Sequence, residues 1–188
     1  MTSSPSPTSV DADTMTGQLT PIRKVVIALG SNLGDREANL AGAVESLAET
    51  PDLVLRGVSR VYASAAVDAP EGSPEFYNAV VVADSMLSAQ MLLERALAIE
   101  DVYGRERGER NAARTLDVDL VVVGDLSSDS DELRLPHPRA HERAFVVAPW
   151  LEVDPDGAIP GRGTLAELLP KLDTSTLRVV TGIDLQRT

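Results

Sequence analysis

The order in which apolar periodicity changes along this chain is the feature that most limits its fold. "KVVIAL" (24–29) is a short apolar run ended by "GSNLGD", which predicts a buried strand and a turn. In "REANLAGAVESLAE" (36–49), Leu40, Val44 and Leu47 recur at steps of four and three. That spacing predicts an amphipathic helix with Asp35 as its N-cap and Pro51 closing it. "LVLRGVSRVYA" (53–63) is rich in β-branched residues and predicts a second strand, bulged at Gly57. A Pro- and Gly-containing loop (64–75) leads to a third strand, "FYNAVVVAD" (76–84). Ser88 can cap "AQMLLERALAIEDVYG", where Leu92, Ala96, Ile99 and Tyr103 again keep helical spacing and Gly104 stops the helix. "LDVDLVVVG" (116–124) is the fourth strand.

Strand, helix, strand, strand, helix, strand is a split βαβ arrangement. It predicts an α+β, ferredoxin-like βαββαβ core: a mainly antiparallel four-stranded sheet with helices packed on it. C-terminal additions follow. "LSSDSDELR" (126–134) reads as a solvated hairpin tip, and 135–156 as a Pro-bounded loop and a short helix on which His141 is a surface residue. "TLAELLPKL" reads as a further short helix and "LRVV" as an edge strand. The Ser/Thr/Pro/Asp-rich start predicts a disordered leader over 1–21, with one domain over 22–188. The leader has neither a basic start nor an apolar stretch, so it does not read as a targeting signal.

A net charge of −12 argues against a general nucleic-acid or anionic-membrane binder. No apolar run approaches the roughly 20 residues that span a bilayer. The absence of cysteine excludes disulfides and thiol nucleophiles and fits a cytoplasmic protein. Only Lys24 and Lys171 among the 17 basic residues are lysines. The arginine excess fits either GC-rich codon usage or bidentate grips on phosphate or carboxylate.

Three segments carry chemistry. Asp117 and Asp119 are two apart on a predicted strand, so they share a face at roughly 6.5–7 Å along the backbone. Two carboxylates there repel each other and resist desolvation. A pair of Mg²⁺ ions roughly 3.5–4 Å apart would relieve both problems; the alternative is a solvated strand end. Arg105, Arg107, Arg110 and Arg114 crowd the loop just before them. Metals with guanidinium forks suit a polyphosphate, although the arginines can also pair with Glu106, Glu109 and the aspartates. "PHPRAHERAF" (136–145) holds both histidines, and prolines on either side of His137 make it the better candidate ligand. "GSNLGD" lacks the lysine and spacing of a P-loop, and on its own reads as a tight connection.

Together, "GSNLGD", "FYNAVV", "RTLDVDL" and "LPHPRAHERAFVVAP", in this order over roughly 23–155, resemble the 6-hydroxymethyl-7,8-dihydropterin pyrophosphokinases of folate biosynthesis. The resemblance implies transfer of pyrophosphate from ATP to the pterin hydroxymethyl group, with release of AMP. It implies two Mg²⁺ ions on Asp117 and Asp119, which with Arg105 and Arg114 would form the catalytic group. Arg105, Arg107, Arg114, His137 and Arg143 would hold the ATP phosphates, and Glu100 and the backbone around Leu120 the adenine and ribose. Phe76 and Phe145, the chain's two phenylalanines, would sandwich the pterin. Asn78 and the backbone of Ser64, Ala65 and Val67 would read its edge. Expected partners are these small molecules alone, with no nucleic acid or membrane, for a monomeric enzyme. Asn111-Ala112-Ala113 stands where the family usually has Trp-Gly-Pro, and Ser64-Ala65 where it has Thr-Pro. The first departure predicts slower loop closure or weaker substrate retention. A non-catalytic pterin- or nucleotide-binding relative and a palm-type nucleotidyltransferase are the competing readings.

Overall fold

A computed structural model describes residues 21–66, 72–103 and 115–186. The core elements are β1 (Arg23–Ser31), α1 (Arg36–Ala48), β2 (Leu53–Val58), β3 (Tyr62–Ser64), β4 (Phe76–Ser85), α2 (Ala89–Val102) and β5 (Asp117–Val123). Asp35 caps α1 by accepting the Ala38 N–H at 3.0 Å, and Ser88 caps α2 by accepting that of Met91 at 3.2 Å. Both caps are as the sequence predicts.

β1 lies between β4 and β5, antiparallel to both. Its residues alternate between two buried clusters. Val25, Ile27 and Leu29 face the α1–α2 side with Leu40, Val44, Leu92 and Ile99, while Val26 faces the other side with Val146, Val147 and Trp150. A strand covered on both faces reads as an unbroken apolar run, which is why "KVVIAL" shows no alternation. Fully burying one such Val, Ile or Leu side chain contributes about 1.5–3 kcal/mol.

The predicted second strand is two strands. β2 and β3 both pair with β4, and the chain breaks between them at 59–61. Ser59 takes over the ladder at the break: its N–H donates to the Val80 carbonyl and its Oγ accepts the Val80 N–H, each at 2.9 Å. The register of β2 does shift between Leu55 and Gly57, the expected bulge.

The C-terminal additions are a hairpin of β6 (Ser128–Asp129) and β7 (Arg134–Leu135), a 3-10 turn over Ala140–Glu142, and α3 (Ala144–Val153). Then come β8 (Ala158–Ile159), β9 (Gly163–Thr164), α4 (Leu165–Leu168) and β10 (Arg178–Val179). α3 and α4 cover the second face of the sheet, and β10 adds to the edge of β3. His141 is not a surface helix residue. It sits in the 3-10 turn with its side chain only 18% exposed, because the turn folds back under α3 and buries Ala140 beside it. No helix among the described residues is long and apolar enough to cross a membrane.

Candidate active site

The site starts from a row across three strands. Gly30 on β1 lies opposite Asn78 on β4 and opposite Asp117 on β5. Two residues back along β1, Ala28 lies opposite Asp119. The middle strand therefore carries almost no side chain here. A Cβ at Gly30 would stand 3.7 Å from Asn78 Oδ1, 3.8 Å from Phe76 Cδ1 and 3.9 Å from Asp117 Cβ. The result is a trough on the α3 side of the sheet, with Phe76 and Asn78 on one wall and the two carboxylates on the other.

On the carboxylate wall, Arg143 Nη1 lies 3.8 Å and His137 Nε2 4.0 Å from Asp119 Oδ2. β5 slips register against β1 around Val121, and the Val121 carbonyl accepts the His137 N–H at 2.9 Å. The Arg139 N–H donates to His137 Nδ1 at 3.2 Å, which leaves the ring proton on Nε2, facing Asp119. Burial and the Arg143 charge push the His137 pKa down to about 4, against an upward pull from Asp117. The imidazole is thus a neutral N–H donor at physiological pH.

These residues fit Mg²⁺. Both carboxylates are partly exposed on one face, and they offer the hard oxygen ligands that Mg²⁺ prefers. No cluster of three or more His, Cys, Asp or Glu forms among the described residues. The protein would therefore supply two carboxylates and leave further coordination positions to phosphate and water, the usual manner for Mg²⁺.

On the opposite wall, Asn78 is 4% exposed. Its Nδ2 donates to the Tyr62 carbonyl at 3.1 Å and to Ser64 Oγ at 2.9 Å. Both amide hydrogens are engaged, so Oδ1 is the group Asn78 offers to the trough. Tyr62 is held in turn by Glu152 of α3, whose Oε2 accepts the phenol O–H at 2.6 Å and whose Oε1 accepts the Arg60 N–H at 2.9 Å. The start of β4 is fixed by Arg36, which donates to the Glu75 carbonyl at 2.8 Å and lies 3.8 Å over the Tyr77 ring. Phe145 is partly buried against the second core, with the Arg143 guanidinium 5.6 Å from its ring. Ala65 is exposed.

Two sequence-chosen residues sit away from the trough. Glu100 is 1% exposed, and its Oε1 accepts the Val118 N–H at 2.9 Å. It supports the strand between the two aspartates from the α2 side. The Leu120 side chain is buried in that same α1–α2 cluster. Arg105, Arg107, Arg110, Arg114, Val67 and Asn111-Ala112-Ala113 lie outside the described residues. Sequence reasoning missed Gly30, whose role depends on strand register. It also passed over the long-range contacts of Ser31 in "GSNLGD", for which the sequence holds no local signal. A surface groove bordered by Val54, Gly57, Val153, Leu185 and Gln186 holds none of the chosen residues.

Fold and trough together define a class: a ferredoxin-like α+β protein with a carboxylate pair, a guanidinium and a neutral imidazole gathered at one end of its sheet. The sequence profile described as 7,8-dihydro-6-hydroxymethylpterin-pyrophosphokinase (HPPK) matches residues 26–155. The chain belongs to this family. Among its relatives, a 2-amino-4-hydroxy-6-hydroxymethyldihydropteridine pyrophosphokinase of Methylorubrum extorquens is 39% identical over 160 residues, 84% of this chain and 98% of the relative. The protein of the same name from Mycobacterium leprae is 42% identical over 151 residues, 74% of this chain and 76% of the relative. That from Synechocystis is 36% identical over 162 residues, 85% and 82%. A crystal structure of Plasmodium falciparum HPPK-DHPS superposes with a TM-score of 0.61 at 12% identity, covering 85% of this chain and 44% of that one. The present chain thus spans less than half of that solved chain, and at this identity the likeness shows the fold alone.

Proposed function

We propose that this protein transfers the terminal pyrophosphoryl group of ATP to the hydroxymethyl oxygen of 6-hydroxymethyl-7,8-dihydropterin, giving the pterin diphosphate and AMP in folate biosynthesis. The observation that carries the reading is the row Asn78–Gly30–Asp117. It sets a buried amide and a partly exposed carboxylate on either side of a side-chain-free floor, which suits an amide that reads a ring edge and a carboxylate that holds a metal. Phe76 and Phe145 stack on the pterin, Asn78 Oδ1 accepts an N–H from its edge, and the backbone of Ser64, Ala65 and Val67 completes that edge. The His137 Nε2–H and Arg143 bind phosphate oxygens, joined by Arg105, Arg107 and Arg114. The backbone around Leu120 serves the nucleoside end, with Glu100 acting behind it by holding the Val118 N–H.

Asp117 and Asp119 would hold two Mg²⁺ ions, which supply neutralisation of the polyphosphate charge. The pterin hydroxyl attacks the β-phosphorus in line. An O–P bond forms, the bond from the β-phosphorus to the α,β-bridging oxygen breaks, AMP leaves with that oxygen, and the hydroxyl proton passes to solvent. Positioning and electrostatics carry such a transfer, and no covalent enzyme intermediate is needed. The reading extends to a cytoplasmic monomer.

The test is AMP release from ATP and Mg²⁺ with and without the pterin. Pterin-dependent AMP is expected in the wild type, and Asp117→Ala and Asp119→Ala should fall to background with unchanged thermal unfolding. Near-normal activity in either variant would overturn the metal assignment. Tight pterin binding with an ATP analogue, but no AMP, would establish a binding-only relative instead. A palm-type nucleotidyltransferase would need a basic surface for a primer, which a net charge of −12 disfavours.

A further inference from the structure

The end of β1 and the first turn of α1 hold a buried polar cluster that the proposed chemistry does not use. Ser31 is fully buried and Asn39, in α1, is 8% exposed. The Ser31 hydroxyl donates to the Thr115 carbonyl. Asn39 Nδ2 lies 3.0 Å from that same carbonyl, 3.1 Å from Ser31 Oγ and 3.1 Å from the Leu33 carbonyl. One side chain from the end of β1 and one from α1 therefore converge on one backbone oxygen that is remote in sequence.

The position of that oxygen gives the cluster its meaning. The β1–β5 ladder ends with Gly30 opposite Asp117. Among the described residues, β5 is the last strand on its side of the sheet, and its ladder with β1 stops at its first residue. Backbone at the end of a ladder opens at less free-energy cost than backbone within it. Thr115 stands two residues before Asp117, and the Ser31–Asn39 pair extends the hold of the sheet by side chains where the ladder stops. Asp117 is then restrained on both flanks: at Thr115 by this clamp and at Val118 by Glu100.

We propose that Ser31 and Asn39 are positioning residues for Asp117. By pinning the Thr115 carbonyl they keep the start of β5 from fraying, and so set the affinity of the site for divalent cation without touching the cation. This rests on the reading of Asp117 as a metal ligand. It also gives "GSNLGD" a purpose other than phosphate binding: its serine holds the chain just before the strand that carries Asp117.

The experiment follows Mn²⁺ binding by electron paramagnetic resonance on the full chain with a non-hydrolysable ATP analogue. Alongside it are measured the Mg²⁺ dependence of AMP release and the KM for the pterin. Asn39→Ala should weaken Mn²⁺ binding about tenfold and raise the Mg²⁺ requirement in parallel, with the pterin KM within about twofold of wild type. Ser31→Ala, which leaves the Asn39–Thr115 contact available, should shift in the same direction by less. Mn²⁺ binding unchanged in folded Asn39→Ala would overturn the proposal, and so would an equal loss of Mn²⁺ and pterin affinity, the mark of general loosening. Asp117→Asn separates the two readings. If it binds Mn²⁺ like the wild type, the metal assignment fails and the clamp falls with it. If it binds poorly while Asn39→Ala binds well, the clamp alone fails. Should neither Asn39→Ala nor Ser31→Ala fold at the assay temperature, the cluster is structural and the proposal is overturned.

Discussion

The Glu100 carboxylate accepts the backbone N–H of Val118 at 2.9 Å, from a side chain that is 1% exposed. Val118 separates Asp117 from Asp119, so the residue between the two acidic groups is bonded from behind by a third. Glu100→Ala leaves that N–H without this acceptor and should cost about 1–3 kcal/mol of stability, measured by urea unfolding. Glu100→Gln keeps an acceptor oxygen and should lose less than half as much. Equal losses would show that the charge of Glu100, not its acceptor, matters.

Asn78 is read through its orientation. With both amide hydrogens on Tyr62 and Ser64, its oxygen selects a ligand N–H. Asn78→Leu, similar in size but without an acceptor, should lower kcat/KM for the pterin roughly tenfold. Ser64→Ala, which frees one amide hydrogen, should raise the pterin KM severalfold and leave the ATP KM alone. A shift shared by both substrates would contradict this division of the trough.

His137 makes stability depend on pH in a defined window. Its folded pKa is about 4, against 6.5 for an ordinary histidine, so the unfolded chain takes up the proton first as pH falls. The histidine's contribution is therefore fully present above pH 6.5 and is lost progressively as pH drops towards 4. In the ligand-free protein, NMR should show the His137 ring titrating near pH 4. His137→Asn should flatten the pH dependence of unfolding between 6.5 and 4 relative to wild type. A ring that titrates near 6.5 would contradict both.

Gly42 lies inside α1, where Ala is ordinarily better by about 0.8–1 kcal/mol. Here a Cβ would stand 1.7 Å from the Tyr103 hydroxyl oxygen and 2.7 Å from Cζ, so α1 and the end of α2 meet because position 42 has no side chain. Gly42→Ala should destabilise by about 1–3 kcal/mol, and adding Tyr103→Ala should remove the clash. A more stable single variant would show that Tyr103 swings aside freely.

Much of this protein was legible from residue spacing. The change from strand to helical period marked βαββαβ, Asp35 and Ser88 announced two helix starts, and Asp117 and Asp119 had to share a face because strand side chains alternate. These are properties of neighbours along the chain, and local sterics and burial decide them. The break at Ser59, the floor at Gly30, the support from Glu100 and the setting of His141 were not legible. Each depends on partners brought up from elsewhere. Gly30 matters only because the β1–β4 and β1–β5 registers align it with Asn78 and Asp117, and Thr115 is held by residues 84 and 76 positions earlier. Period sets which face a side chain takes. Only the assembled sheet, with its bulges and its long-range hydrogen bonds, decides which residue stands across from it.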